Sequence, residues 1–164
     1  MRQVAIFLNG VYRAVLEDIL KVQEQLPEHI MFLQPYSRDA IVQLRDNRPS
    51  VDDKVCLYLS TTDDLPTVSY KAEIVGWDDK GAISEDKRRV ITRLIYVLQP
   101  TELGLYNASG DGTGLSTNLL HVRRLTRVHP GFSVERLIKV ADNSPISPNR
   151  TTSGGWSYVH LLEH

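Results

Sequence analysis

A single cysteine, Cys56, stands among the 164 residues, which excludes a disulfide framework and any cysteine-rich zinc site. No uninterrupted apolar run approaches the ~20 residues of a membrane helix, so a soluble chain with no membrane partner is expected. The opening MRQVAIFLNG has too short an apolar run for a signal peptide and meets Asn9-Gly10 at once. A cytoplasmic location follows as the expectation, and the N-x-S/T matches at Asn107 and Asn149 then say nothing about glycosylation. Net charge is also scarce, at −1, which is not the balance of a strong nucleic-acid binder. What is present suffices for a core: hydrophobic residues make up 41% and charged residues 24%. One domain over 1–161 is expected, with Leu162-Glu163-His164 read as an expression-tag remnant.

The small net charge hides an asymmetry. Residues 1–80 hold nine Lys/Arg against thirteen Asp/Glu, whereas 81–164 hold ten against seven. The excess lies in Lys87, Arg88, Arg89 and Arg93, then in Arg123, Arg124, Arg127, Arg136 and Lys139. Such clusters either attract phosphates or form ordinary solvated surface.

Along the chain, residues 3–8 read as a buried strand bounded by Asn9-Gly10. Tyr12, Val15, Leu16, Ile19, Val22 and Leu26 have the spacing of an amphipathic helix, which Pro27 ends. A short apolar run, His29–Leu33, precedes a helix expected over Ser37–Leu44. Lys54–Ser60 alternates cleanly and reads as a strand, and Thr67–Trp77 as its antiparallel hairpin mate. Over 84–98, Ile91, Leu94, Ile95 and Leu98 predict a helix, against a β-branched content that suits a strand. The loop 101–117 carries four glycines and is expected to be mobile. Asn118–Val128 reads as a strand with His121, Arg123, Leu125, Arg127 and His129 on one face. Pro130-Gly131 reads as a turn, Val134–Val140 as a short helix capped by Ser133, and Trp156–Leu161 as a closing strand. These elements make one α+β domain.

Few motifs carry chemistry. Gly110-x-Gly112-x-Gly114 lacks the spacing and the strand–turn–helix frame of a dinucleotide loop, so no cofactor is expected. His121 and His129 lie eight residues apart on one strand, about 26 Å at ~3.3 Å per residue, too far to share a metal. Asp52-Asp53, Asp63-Asp64 and Asp78-Asp79 are explained by turn chemistry, so no metal site is expected. Glu73 is the informative acid, mid-strand between Ala72 and Ile74. Either its face points inward and the carboxylate needs a partner, or it points outward and pairs with Lys71 on the surface. The aromatics Tyr36, Tyr58, Trp77, Trp156 and Tyr158 are core residues or, beside basic groups, stacking platforms for bases.

Phe32-Leu33-Gln34-Pro35-Tyr36, the Ser37–Leu44 segment, Asp53–Ser60 and Ala72-Glu73-Ile74-Val75, taken together, resemble the PUA-like superfamily, in its ASCH and EVE branches. The opening strand ending at Asn9 is similar too, and His121–Leu125 followed by Phe132-Ser133-Val134 and Leu137-Ile138-Lys139 resembles the later strand and short helix of those domains. The resemblance implies a small mixed, barrel-like sheet with three to four flanking helices. It also implies a pocket at the barrel mouth that serves RNA, modified DNA bases or modified nucleosides. On that basis a base would stack on Trp77, Tyr36 or Tyr58, with edge hydrogen bonds from Asn9, Gln34 and Ser60. Phosphates would meet Arg89, Arg123 and Arg127. The expected function is a non-catalytic binding module for nucleic acid or a modified nucleobase. The alternatives are an ASCH-type amidohydrolase acting on acylated cytidine with Glu73 as catalytic residue, or a protein-interaction domain. The Gly-x-Lys-Thr element of those hydrolases is missing, since Gln43-Leu44-Arg45-Asp46 stands there. Whether the chain is an enzyme stays open at this point.

Overall fold

The computed structural model describes residues 4–33, 55–78, 84–98, 119–149 and 156–161. Among the described residues seven strands run in chain order: β1 Val4–Val11, β2 Met31–Leu33, β3 Val55–Thr61, β4 Thr67–Asp78, β5 Leu119–Ser133, β6 Leu137–Lys139 and β7 Trp156–Leu161. Helix α1 spans Arg13–Gln25 and α2 spans Glu85–Leu98. The strands form one mixed sheet in the order β2-β5-β4-β3-β1-β7-β6. β1 and β3 are parallel, and every other pair is antiparallel. A parallel pair needs a crossover, and the segment between β1 and β3 contains α1.

The helix forms where the apolar spacing placed it. Val15, Leu16 and Ile19 are buried on one face. They pack on Ile6, Leu8, Leu57, Leu59, Tyr70, Ala72 and Ile74. The opposite face of the sheet carries a second cluster, Ala5, Phe7, Val68, Val134, Leu137, Ile146 and Val159. The central strand β1 is therefore buried on both faces, which is why its sequence is an unbroken apolar run rather than an alternation. α2 matches the helix expected over 84–98; its Ile91 is buried with Phe32 and Leu119. Five strands, both described helices and the antiparallel β3–β4 hairpin stand where the sequence placed them, except that β1 runs on through Asn9-Gly10 to Val11.

Three local expectations need correction. Pro130-Gly131 does not turn the chain: β5 continues through it to Ser133. A Cβ on Gly131 would lie 2.6 Å from Thr67 Cγ2 and 3.0 Å from the Val68 carbonyl oxygen, so glycine there permits the close approach of β4. The helix expected over Val134–Val140 is a single 3-10 turn, Val134–Arg136, capped by Ser133 as anticipated, and it runs straight into β6. Pairing of β6 with β7 draws the chain out of the helix. Finally, Leu125 does not share a face with Arg123; it is buried in the α1-side core with Leu120 and Val122.

The third correction has one cause. Lys71 pairs with Thr126 and Glu73 with Arg123, so one residue of β4 opposes two of β5. The extra residue makes a β-bulge at Arg124 and Leu125, and Arg124 adopts φ 55°, left-handed backbone that non-glycine residues rarely take. A bulge also orphans backbone groups. Gln23 of α1 answers them: its Nε2 donates to the Leu125 carbonyl at 2.8 Å, and its Oε1 accepts from the Leu125 N–H at 2.9 Å. One side-chain amide thus does the work of a neighbouring strand and ties α1 to β5.

The expected α+β class and mixed sheet are met; the barrel-like form and the three to four helices are not seen among the described residues. Among the described residues the ladder is open and two helices flank it. The Ser37–Leu44 helix and the 101–117 loop lie outside the described residues. No described helix is long and apolar enough to cross a membrane.

Candidate functional site

On the sheet face opposite α1, β3, β4 and β5 enclose a depression of about 400 Å³. It is lined by Val55, Cys56, Lys71, Ala72, Glu73, Arg124 and Thr126. Register explains the grouping. Cys56 pairs across to Glu73, and Lys71 to Thr126, so four polar side chains from three strands converge. Directly opposed side chains in a sheet sit about 5 Å apart.

Glu73 is the centre of charge. Its side chain is 25% exposed, and it meets Arg123 and Arg124. Arg123 Nε donates to Oε2 at 3.1 Å and Arg124 Nη1 to Oε1 at 3.5 Å. In a regular strand, adjacent residues point to opposite faces. The bulge re-aims Arg124 so that two consecutive arginines reach one carboxylate. Glu73 thus lies away from the helix-covered core, yet it is largely buried and held by Arg123 and Arg124. The Cys56 thiol is pushed up by burial, which keeps it protonated and weakly nucleophilic.

The other residues singled out by sequence are dispersed. Asn9 and Ser60 are buried at the ends of β1 and β3. Ser60 Oγ accepts from the Gly10 N–H at 3.0 Å and lies 3.5 Å from Asn9 Oδ1, and neither residue lines the depression. Gly10 itself sits at φ 77°, where glycine is at ease. Tyr58 stacks edge-on against Phe132 at 5.8 Å, over which the Arg136 guanidinium lies at 5.0 Å. Trp77 packs against the α1-side core. Gln34 and Tyr36 lie outside the described residues.

The three arginines expected to meet phosphate each face a carboxylate of this chain. Arg89 pairs with Glu85 at 2.9 Å on α2, Arg123 with Glu73, and Arg127 with Glu17 of α1. Lys71, Arg124, Thr126 and Cys56 were missed as site residues. The alternation around Glu73 already placed Lys71 on its face, but only strand pairing brings in the others.

Two further ionic clusters brace the sheet. Tyr70 Oη accepts from Arg13 Nη1 at 3.1 Å and donates to Glu17 Oε1 at 2.9 Å, while Arg13 Nε donates to Asp63 at 3.0 Å. Asp78 is 9% exposed and lies 2.6 Å from both Lys87 Nζ and His121 Nε2, joining α2, β4 and β5. Burial pushes the Asp78 carboxyl up, but the Lys87 and His121 contacts outweigh it and hold it below the ordinary carboxylate value. Glu17 is likewise pushed up by burial and pulled lower by Arg127 and Tyr70, and Arg13 lowers Asp63. A carboxyl depressed in the folded state takes protons first when unfolded, so its contribution is full above the unfolded pKa and fades as pH falls through the folded one. Thermal unfolding midpoints should drop steadily between roughly pH 5 and pH 2. Asp78→Asn should lower the midpoint at neutral pH and flatten that slope. A midpoint equally steep in acid for both proteins would contradict the assignment.

Among the described residues, no group of three or more His, Cys, Asp or Glu side chains is placed to hold a metal ion. No family model, curated protein or solved structure matches the chain.

Proposed function

We infer that this protein is a non-catalytic binding module for nucleic acid or a modified nucleobase, with the β3–β4–β5 depression as the base pocket. The observation that carries the reading is the depression around Glu73, with Lys71, Arg124 and Thr126 on its walls. Its volume lies at the small end of the ~300–1,000 Å³ range of ligand pockets. A carboxylate accepts from the amino and imino groups on base edges, while Lys71 and Thr126 donate to ring carbonyls. Arg124 adds a cation at the rim. On this reading the fold is PUA-like, of the ASCH/EVE kind, the sheet is barrel-like with further helices, and the setting is cytoplasmic. The base contacts are those of Glu73, Lys71 and Arg124, which line the depression, in place of Asn9, Ser60 and Trp77, which do not.

The amidohydrolase reading draws on the same observation, since Glu73 lies in the depression. One experiment separates the readings. Short RNA and DNA, including methylated and hydroxymethylated bases, are titrated at low and high salt, and acylated cytidine is incubated with the protein. Binding that weakens with salt, without turnover, is the expected result. Turnover that vanishes in Glu73→Gln would replace the module with a hydrolase. No binding and no turnover would leave an interaction domain.

A further inference from the structure

Arg124 faces two carboxylates at once. One is Glu73 in the depression; the other is Glu28, just beyond α1. Arg124 Nε and Nη2 each donate to a separate Glu28 oxygen at 3.3 Å, a two-pronged grip, and Arg123 Nη1 lies 3.9 Å from the same group. A guanidinium fork fits carboxylate and phosphate oxygens alike. The two acids differ in burial: the Glu28 side chain is 60% exposed, Glu73 25%. Glu28 belongs to the connection between α1 and β2, outside any strand or helix, whereas Glu73 is fixed mid-strand. Of the two, Glu28 is the one that can leave. The left-handed backbone at Arg124 is the local cost of aiming its guanidinium at the edge of the depression.

We propose that Arg123 and Arg124 form an oxyanion subsite in which Glu28 holds the place of a ligand phosphate. The inference rests on the nucleobase reading and narrows it: the ligand is phosphorylated, a nucleotide or an oligonucleotide rather than a nucleoside or free base. Glu73 and Lys71 meet the base, and the phosphate displaces Glu28 from Arg124. Glu28 then acts as an internal competitor that weakens stray anion binding and is overcome only by a ligand that also fills the depression.

The test measures binding at low salt for the four ribonucleosides, their 5′-monophosphates and inorganic pyrophosphate, with the wild type, Glu28→Gln and Arg124→Gly. Glu28→Gln removes the competing charge and should tighten the phosphorylated probes by about threefold to fivefold, the scale of an exposed ion pair, with nucleosides unchanged. Arg124→Gly suits the left-handed backbone, so the fold should persist while the advantage of monophosphate over nucleoside disappears. Measurable binding of nucleoside and monophosphate with equal affinity in the wild type, or no gain for any phosphorylated probe in Glu28→Gln, overturns the subsite. Gain for pyrophosphate in Glu28→Gln with no binding of any nucleoside or nucleotide supports the subsite and overturns the base pocket. No binding of any probe by any of the three proteins overturns both.

Discussion

Phe7→Ala is expected to destabilise the protein by about 3–5 kcal/mol, measured as a fall in the denaturant midpoint with an unchanged slope. Phe7 is fully buried in β1, the strand paired with both β3 and β7. Its ring belongs to the cluster that Val68, Val134, Leu137, Ile146 and Val159 build on the face away from α1. That cluster draws on β4, β6, β7 and the 3-10 turn, so a cavity there loosens several elements at once. Backbone pairing holds β1 on both edges, so the strand cannot shift to fill the space. A loss under 1 kcal/mol would mean that the second cluster is not a packed core.

Glu73→Gln carries the largest expected effect on function. The swap keeps size and removes charge, leaving Arg123 and Arg124 with a weaker acceptor in a mostly buried place. Hydrogen bonds to a charged group contribute about 1.5–3 kcal/mol. Affinity for an uncharged nucleoside or base should therefore fall by roughly ten- to a hundredfold. Inorganic phosphate should not lose affinity, because a neighbouring negative charge has been removed. These opposite responses separate a base-edge acceptor from a carboxylate that only neutralises arginines. Equal losses for both probes would sink the base-edge role; no loss for either would move the ligand elsewhere. Unfolding in the absence of ligand measures the structural share, expected at about 1–2 kcal/mol because both guanidinium groups keep some solvent.

Local pattern made much of the scaffold legible. The apolar run of β1, the helical spacing of Val15, Leu16 and Ile19, the alternation of Val55, Leu57 and Leu59, and the period of α2 need only neighbours along the chain. Two of the three corrected segments lie in β5. Period two assigns faces correctly only while the register is unbroken. The bulge at Arg124 shifts the faces within five residues, so Leu125 enters the core and Arg123 and Arg124 both meet Glu73. Pro130-Gly131 looks like a turn by composition, yet β4 lies alongside and holds the segment extended. The charge clusters were visible, and Arg89 finds Glu85 one helical turn away, but the partners of Arg123, Arg124 and Arg127 (Glu73, Glu28 and Glu17) stand 50 or more residues away, beyond any local pattern.

By itself the chain determined five of the strands, the two described helices and that Glu73 shares a strand face with Lys71, because period and alternation are properties of adjacent residues. Only the tertiary structure decided that this face forms a depression, that Arg124 turns into it, and that Arg123 and Arg127 already grip carboxylates. Those outcomes depend on strand register and on a one-residue bulge, which pairing between distant segments sets.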